Sequence, residues 1–430
     1  MPISKSNRFL PLTSLLKDKN QQKSFLYILI RGVSIISNYV FSILIINLFS
    51  KEDYGTYVYG LSIFMLLSVF LKLGVDIHLV KIFSEFKSKI IPKWIGLLER
   101  KVIYLAIAVT ACITSLLYLT NLIDGFNLSV VLFILSVPFY VKVLLNSGKL
   151  RGLSKIIQFA FLNIAGRILI SLVVFVILYY LFSYKDPNSI YFAHLISIVV
   201  LLVISLFWTS KSFEFSKDLD DSKIPDNFFS YNNGLLLKSY ITVFFLWGDR
   251  FLLSIISNPA EVAQYDICLK IAMLIMIVTE ALKSTYAAVF AKHASEPEKL
   301  KIDIRKSTRV GFVVSLTIFM FIVFFGKFLL GLFGAEFEDS YFILLTISLG
   351  YTMSTFFGQA DNVLEMCGLI KHYVKYYFII IFLSLGLGVA LSFNFGALGM
   401  SIGFASGNFL FQAVASYIVK LKISIKTSFL

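Results

Sequence analysis

The sequence predicts an all-α polytopic membrane protein, with about twelve transmembrane helices in two six-helix halves around a central cavity. Of its 430 residues, 58% are hydrophobic, and the mean hydropathy of +0.84 exceeds what a soluble core requires. Most apolar runs reach the roughly 20 residues that a helix needs to cross a bilayer. Lys and Arg are concentrated in every second connection between these runs, as in membrane proteins with a basic cytoplasmic face.

The apolar runs predict the individual spans in chain order. We place them at 25–49, 55–80, 102–120, 129–146, 157–182, 190–208, 233–256, 263–291, 309–333, 341–366, 373–393 and 396–419. Of 39 Lys and Arg residues, 30 lie in alternate connections or at the run ends that border them, three in or beside the opposite connections, and six deeper inside the runs. An even number of spans therefore places both termini on the basic, cytoplasmic side. The net charge of +14 belongs to that membrane face, and no nucleic-acid partner is expected.

The longest polar connection divides the chain into two halves. We expect a cytoplasmic N-terminal segment, an N-terminal half, a cytoplasmic linker, a C-terminal half and a cytoplasmic tail at 1–24, 25–208, 209–232, 233–419 and 420–430. The turns after spans one and seven share an acid, a small residue and a Tyr in register, Tyr57 against Tyr265. Two parallel halves about a central cavity are a known plan for transporters.

Basic and amide side chains inside the spans are the candidate substrate-binding residues. Charges are costly in lipid, so these residues should face a protein-lined or wet interior. The candidates are Arg31, Lys72, Arg167, Arg250, Lys270, Lys283, Asn38 and Asn163. The planar guanidinium of Arg31 or Arg167 suits a diphosphate, since it binds two oxygens at once. The other interpretation is that each Arg bonds a neighbouring helix or extends to the interface.

Six acids inside the spans are candidates for ion coupling or for structural pairing: Asp76, Asp249, Asp266, Glu280, Asp361 and Glu365. The spacing of Lys72 and Asp76, and of Asp266 and Lys270, allows i,i+4 pairs on a helix. Asp249 and Arg250 point about 100° apart on a helix, so we expect that they do not simply pair with each other.

Asp361 and Glu365 would repel each other unless Lys283 or Arg31 intervenes. We expect no catalytic residue, no metal site and no cofactor, apart from a coupling proton or monovalent cation.

Several short motifs together resemble those of the oligosaccharide-lipid flippases. They are Arg31-Gly32, Lys51-Glu52-Asp53-Tyr54-Gly55, Leu150-Arg151-Gly152-Leu153, Trp247-Gly248-Asp249-Arg250 and Phe395-Gly396-Ala397-Leu398-Gly399. These flippases belong to the multidrug/oligosaccharidyl-lipid/polysaccharide exporter (MOP) superfamily, and the resemblance implies a fold like that of the multidrug-extrusion (MATE) proteins. One departure is Ala263, where the family usually has Gly before Gln264-Tyr265.

The resemblance also implies a function and a set of partners. The protein would translocate an undecaprenyl-diphosphate-linked oligosaccharide repeat unit across the bacterial cytoplasmic (inner) membrane. This step would serve a surface polysaccharide, such as the O-antigen of lipopolysaccharide or a capsule, by alternating access with a basic lumen. Partners would include membrane lipids and, in the assembly machinery, a polysaccharide polymerase and chain-length proteins. No enzymatic activity is expected.

Three other interpretations remain open on the sequence. A multidrug or cation antiporter of the same superfamily is the first, although it would favour an acidic cavity over the six intramembrane bases found here. A polysaccharide polymerase or ligase is the second, but such enzymes need a substantial external loop and these connections are short. The third is a scaffold of the assembly machinery, which predicts no loss of function when Arg31 is neutralised.

Overall fold

A computed structural model of the protein describes residues 19–86, 90–91, 93–120, 128–215 and 233–429. The described chain is almost entirely helical. Its first part contains α1 (Lys19–Leu48), α2 (Lys51–Leu71), α3 (Val75–Phe86), β1 (Ile90–Ile91), α4 (Lys93–Thr120), α5 (Leu128–Gly152), α6 (Ile156–Ala160), α7 (Gly166–Val176), α8 (Asn188–Ser210) and β2 (Glu214–Phe215). Two π-helical turns, Phe161–Ala165 and Ile177–Leu181, precede and follow α7.

The second part is built from longer helices. It contains α9 (Asn233–Ile256), α10 (Pro259–Lys292), α11 (Pro297–Gly331), the 3₁₀ helix Ala335–Ser340, α12 (Tyr341–Phe356), α13 (Ala360–Met366) and α14 (Ile370–Ile423). Within the described residues, ten helices are long and apolar enough to cross a membrane, and a bent pair of helices supplies an eleventh. That pair is Ala335–Phe356 and Ala360–Met366, bent by 47°.

A break inside α14 accounts for the twelfth crossing. Gly396 has φ +51° and ψ −133°, a conformation that residues with a Cβ avoid, so the helix divides into two arms there. The arms approach closely at Gly388 and Gly403, where an added Cβ on Gly403 would lie 2.4 Å from Gly388 Cα. Close backbone packing through small residues is typical of membrane helices. Counted separately, the arms match predicted spans eleven and twelve, which confirms the predicted fold class.

Polar residues at the helix starts explain where two of the crossings begin. Ser50 and Asp53 cap α2 reciprocally: the Ser50 N–H donates to Asp53 Oδ2, and the Asp53 N–H donates to Ser50 Oγ. The Asn258 side chain accepts from the Glu261 N–H at 2.9 Å, and Pro259 occupies the first position of α10. Gly55 leaves no room for a Cβ against Pro259, so these two turns pack on each other.

The described chain forms two compact units. The first unit contains the described residues up to Phe41 and from Ser68 to Leu236, and the second contains Ser42–Leu67 and the described residues from Leu237 onward. By their contacts, residues 42–67 thus belong to the second compact unit. The predicted halves, 25–208 and 233–419, concern the transport movement and stay a prediction.

Several predicted span boundaries differ from the helices. The predicted span 55–80 is wrong as one helix, because α2 ends at Leu71 and α3 begins at Val75. Helices α4, α5 and α11 extend beyond predicted spans 102–120, 129–146 and 309–333 into segments rich in Lys and Arg, since charged helix ends continue past the apolar core. The predicted N-terminal segment up to residue 18 and residues 216–232 of the linker lie outside the described residues.

Candidate functional site

The second unit contains a buried group of bonded side chains that we call the Asp266 network: Ser42, Tyr54, Arg250, Asp266 and Lys270. Arg250 Nε donates to Asp266 Oδ1 at 2.7 Å, and the Tyr54 hydroxyl donates to Asp266 Oδ2 at 2.6 Å. Lys270 Nζ lies 3.0 Å from Asp266 Oδ2, as the i,i+4 spacing predicted. It also donates to Ser42 Oγ at 2.7 Å and to the Tyr54 hydroxyl. The network therefore ties α2, α9, α10 and the end of α1 together.

Asp249 is fully buried and completes the charge balance of this network. Its Oδ2 accepts from the Tyr265 hydroxyl at 2.8 Å, and its Oδ1 accepts from the Arg250 backbone N–H at 2.7 Å. Arg250 Nη1 also lies 3.4 Å from Asp249 Oδ1. The prediction that these neighbours do not pair is wrong, because the long Arg250 side chain reaches both Asp249 and Asp266. Two cations thus face two carboxylates.

A cavity of about 280 Å³ in the second unit contains a second set of predicted residues. Lys283 Nζ lies 2.7 Å from Asp361 Oδ2 and 3.9 Å from Glu280 Oε1. Gln412 Nε2 donates to Asp361 Oδ1 at 3.0 Å, and Glu365 also lines the cavity. Of the two cations considered for Asp361, Lys283 is the one that contacts it. Among the described residues, the charged side chains that line this cavity are three carboxylates, those of Glu280, Asp361 and Glu365, and one ammonium, that of Lys283.

In the first unit, Lys72 and Asp76 form the predicted contact, but across a helix break. Lys72 Nζ lies 2.7 Å from Asp76 Oδ2. The two residues flank the turn between α2 and α3, where Leu73 and Gly74 have φ values of +52° and +67°. The expectation of a pair within one continuous helix is therefore wrong, and the pair instead stabilises the turn.

Arg167 and Asn163 lie at the π-helical turn before α7. Asn163 Nδ2 donates to the Phe159 backbone oxygen at 3.2 Å. Arg167 Nη1 is buried and has no hydrogen-bond partner among the described residues. Its charge acts on the buried side chains of Tyr140 and His194, neither of which is anionic. A cationic donor is thus held inside the first unit with one nitrogen still available.

Helix α1 lies beside this site. Ser34 Oγ donates to the Ile164 backbone oxygen at 3.0 Å, within the same π-helical turn as Asn163. Arg31 is exposed on α1, and Asn38 is half-buried on the same helix. Helix α1, which carries Arg31 and Asn38, therefore contacts the π-helical turn that carries Asn163 and immediately precedes Arg167.

Sequence reasoning missed one buried ionic group in the first unit. Glu99 Oε2 lies 2.6 Å from Lys142 Nζ, and Glu99 Oε1 lies 2.8 Å from Lys149 Nζ. The charge pattern placed all three residues in or at the edges of cytoplasmic connections, whereas they lie within α4 and α5. The i,i+7 spacing of Lys142 and Lys149, which puts them on one helix face, is the signal that could have revealed the group.

Comparison with known proteins identifies the family. The profile of the family described as "Polysaccharide biosynthesis protein" matches residues 21–290, more than half of the chain. The chain belongs to this family. A relative from Haloferax volcanii, "Probable low-salt glycan biosynthesis flippase Agl15", is 22% identical over 215 residues, which cover 49% of this chain and 45% of the relative. The chain thus matches less than half of that relative's length.

Solved structures show the fold of this polysaccharide biosynthesis protein. An inward-facing multidrug resistance MATE transporter of the MOP superfamily has a TM-score of 0.66 and 18% identity, covering 93% of this chain and 94% of that chain. A MOP superfamily transporter from Pyrococcus furiosus has a TM-score of 0.64 and 17% identity, covering 95% and 97%. The resemblance drawn from the motifs is confirmed, and the protein is a multi-pass membrane protein with a MATE-like fold.

Proposed function

We propose that the protein is a flippase that moves an undecaprenyl-diphosphate-linked oligosaccharide repeat unit across a bacterial cytoplasmic membrane by alternating access. The family match and the flippase name of the Haloferax volcanii relative support transport of a lipid-linked glycan rather than catalysis. The distribution of Lys and Arg supports cytoplasmic termini. A surface polysaccharide such as O-antigen or capsule is the proposed destination, and a polysaccharide polymerase and chain-length proteins are proposed partners.

The available donor of Arg167 is the observation that carries this proposal. A buried donor left without a partner costs about 1–3 kcal/mol, so such a group is expected where a ligand supplies the acceptor. A guanidinium matches a diphosphate because its parallel N–H groups bind two oxygens. Asn163 adds an amide at the same turn, and α1, which contacts this turn, carries the amide of Asn38 and the positive charge of Arg31.

Ion coupling is part of the proposal and belongs with the acidic cavity of the second unit. Asp361 and Glu280 share the single ammonium of Lys283, so a proton or a monovalent cation would reduce the repulsion between these two carboxylates. Asp249 is a weaker candidate, because both of its oxygens already accept hydrogen bonds from Tyr265 and Arg250. Transport that continues unchanged after every ion gradient is collapsed would exclude coupling at any of these acids.

A multidrug or cation antiporter is the second candidate function, and the same acidic cavity favours it. A surplus of carboxylates beside aromatic side chains such as Tyr377 and Phe411 suits an organic cation. This candidate predicts that the protein raises resistance to cationic drugs and that Asp361→Asn abolishes the resistance. The flippase proposal predicts dependence on Arg167 instead.

Complementation of a bacterial strain that lacks its own flippase tests the proposal. The strain would receive the wild type, Arg167→Ala, Arg31→Ala, or the control Arg305→Ala at matched membrane abundance; Arg305 is exposed and lies outside both regions. We expect surface glycan to be restored by the wild type and the control, and reduced at least tenfold by Arg167→Ala. Equal restoration by Arg167→Ala would make that residue structural. If the wild type also fails in a strain that makes the glycan of the protein's source organism, drug extrusion would be favoured.

A further inference from the structure

A second cavity, of about 610 Å³, lies in the first unit where three helices end. The beginning of α4, the end of α5 and the end of α8 meet there, and β1 pairs with β2 alongside, Ile90 opposite Glu214. The distribution of Lys and Arg predicts that this end of the unit faces the cytoplasm. The cavity therefore lies at the level of the lipid headgroups, and the transport proposed above does not use it.

The cavity has an excess of positive charge at its base. Among the described residues, its lining includes three basic side chains, those of Arg100, Lys142 and Lys149, and one carboxylate, that of Glu99. Glu99 Oε2 accepts from Lys142 Nζ at 2.6 Å, and Glu99 Oε1 lies 2.8 Å from Lys149 Nζ, whereas each ammonium carries three donors. Glu99 and Lys149 are almost fully buried, with side chains 6% and 4% exposed. Two positive charges in excess at a partly desolvated site are stabilised when an anion enters.

An amide oxygen adds a different chemical preference. Asn146 is fully buried and lines the cavity; its Nδ2 donates to Ser205 Oγ at 3.1 Å. Its Oδ1 has no hydrogen-bond partner among the described residues. An acceptor in this position suits a ligand that carries a hydroxyl or amine beside its negative charge.

The wall of the cavity is apolar and faces outward. Val203, Leu206 and Phe207 line it, with 60%, 45% and 60% of their surface exposed. In a helix that crosses a membrane, such side chains contact acyl chains. Lys211 follows on the same helix end, with its Nζ 5.9 Å from the centre of the Phe207 ring. Positively charged side chains at the bottom of the cavity, beside an apolar wall exposed to lipid, match an amphiphile with an anionic head.

We propose that this cavity binds the phosphate headgroup of an anionic membrane lipid, with a phosphodiester that also carries a hydroxyl, such as phosphatidylglycerol, as the preferred form. Lys142, Lys149 and Arg100 contact the phosphate oxygens, Asn146 accepts from the headgroup hydroxyl, and the acyl chains lie along α8. Basic pockets between helices at the cytoplasmic side are known to hold such headgroups. The polyprenyl diphosphate carrier has the same phosphate chemistry and is the second possible source.

Lipid binding to the purified, delipidated full-length protein tests this site, with native mass spectrometry as the readout and no dependence on transport. The probes are phosphatidylglycerol, phosphatidylcholine and undecaprenyl diphosphate. The double variant Arg100→Gln/Lys142→Gln removes two cavity charges. The control Lys93→Gln/Lys101→Gln removes two exposed charges from the same helix α4 outside the cavity.

We expect the cavity variant to bind phosphatidylglycerol about tenfold more weakly than the wild type, as for loss of a charge-assisted hydrogen bond. The control should lose no more than about twofold, since only its surface charge changes. Arg100→Gln alone changes an exposed side chain and should give an intermediate loss in a protein that still folds. Equal losses in both double variants, or none in either, would overturn the site.

The other two probes identify the ligand. The proposed preference for anionic lipids would be overturned if phosphatidylcholine bound as strongly as phosphatidylglycerol and lost as much affinity in the cavity variant. Undecaprenyl diphosphate could displace phosphatidylglycerol when it is present in smaller amounts than phosphatidylglycerol. If it did so only in proteins with an intact cavity, the site would be assigned to the carrier lipid. Tighter phosphatidylglycerol binding than carrier binding would support the phospholipid.

Discussion

Arg250 in the second unit and Arg167 in the first both place guanidinium nitrogens away from solvent, but their surroundings differ. Arg250 donates to Asp266 at 2.7 Å and to the Leu246 backbone oxygen at 2.5 Å, and its guanidinium lies 4.8 Å from the Trp247 ring. Arg167 Nη1 has no partner among the described residues. The same residue type thus serves two purposes: a guanidinium bonded to carboxylates joins helices, whereas one whose buried Nη1 has no partner among the described residues is available to an anion.

The comparison predicts opposite responses to mutation. A buried ion pair adds little net stability relative to apolar residues, but breaking it leaves an uncompensated charge at high cost. Removing an unpaired donor relieves a cost instead.

Arg250→Leu should lower the free energy of unfolding by about 3–5 kcal/mol, because two buried carboxylates would then face only Lys270. Reversible unfolding of the full chain in mixed micelles with sodium dodecyl sulfate measures the change. The double variant Asp249→Leu/Arg250→Leu leaves the Asp266–Lys270 pair balanced and should recover at least half of the loss. No recovery in the double variant would contradict the balance described for the Asp266 network.

Lys283→Met should lower the free energy of unfolding by about 1–3 kcal/mol, since Asp361 loses its cation while Gln412 remains. The effect is smaller than at Arg250 because the Lys283 side chain is 30% exposed. The same unfolding assay applies, with Lys283→Arg as the charge-preserving control. If Lys283→Arg were as unstable as Lys283→Met, packing rather than charge would explain the loss.

Arg167→Leu should leave the free energy of unfolding unchanged or raise it by up to about 1 kcal/mol, while surface glycan in the complementation strain falls. Loss of export without loss of stability would separate this arginine from Arg250. Arg167→Lys keeps the charge without the planar fork and should restore export in part. A stability loss as large as that of Arg250→Leu would mean that Arg167 is structural.

Lys51 and Glu336 form an exposed pair, for which we expect the smallest effect of mutation on the free energy of unfolding. Their side chains are 25% and 45% exposed, and the Nζ–Oε2 distance is 3.4 Å. Lys51→Ala should change the free energy of unfolding by about 0.5 kcal/mol or less, and by less still at high salt. A larger, salt-insensitive change would show that pairing in the second unit is strong even outside the buried networks.

Much of the helix plan was predictable, because crossing a membrane requires long apolar runs. The predicted span 233–256 coincides with α9. The break after α2 was not predictable, since Leu73 adopts φ +52° in a stretch whose composition continues a helix. The extension of α5 to Gly152 was missed because Lys142 and Lys149 resemble loop residues until Glu99 is placed beside them.

The candidate site was predictable in its residue types but not in its pairings. Charged residues are conspicuous inside apolar runs, so the sequence identifies Arg250, Asp266 and Lys270 as candidate site residues. Tyr54 was not recognised as their partner, since it lies 212 positions from Asp266 in the chain. The sequence offered Arg31 and Lys283 as possible partners for Asp361. The structure shows that Lys283 is the partner, at 2.7 Å.

The sequence by itself determined the fold class, the approximate number of crossings and the charges that must be accommodated inside them. These properties follow from the transfer of local segments out of water, which depends on composition and length alone. Only the tertiary structure decided which charges are neutralised and which, like Arg167, keep an available donor. Neutralisation requires a partner within about 4 Å, and such partners come from distant parts of the chain that packing alone brings together.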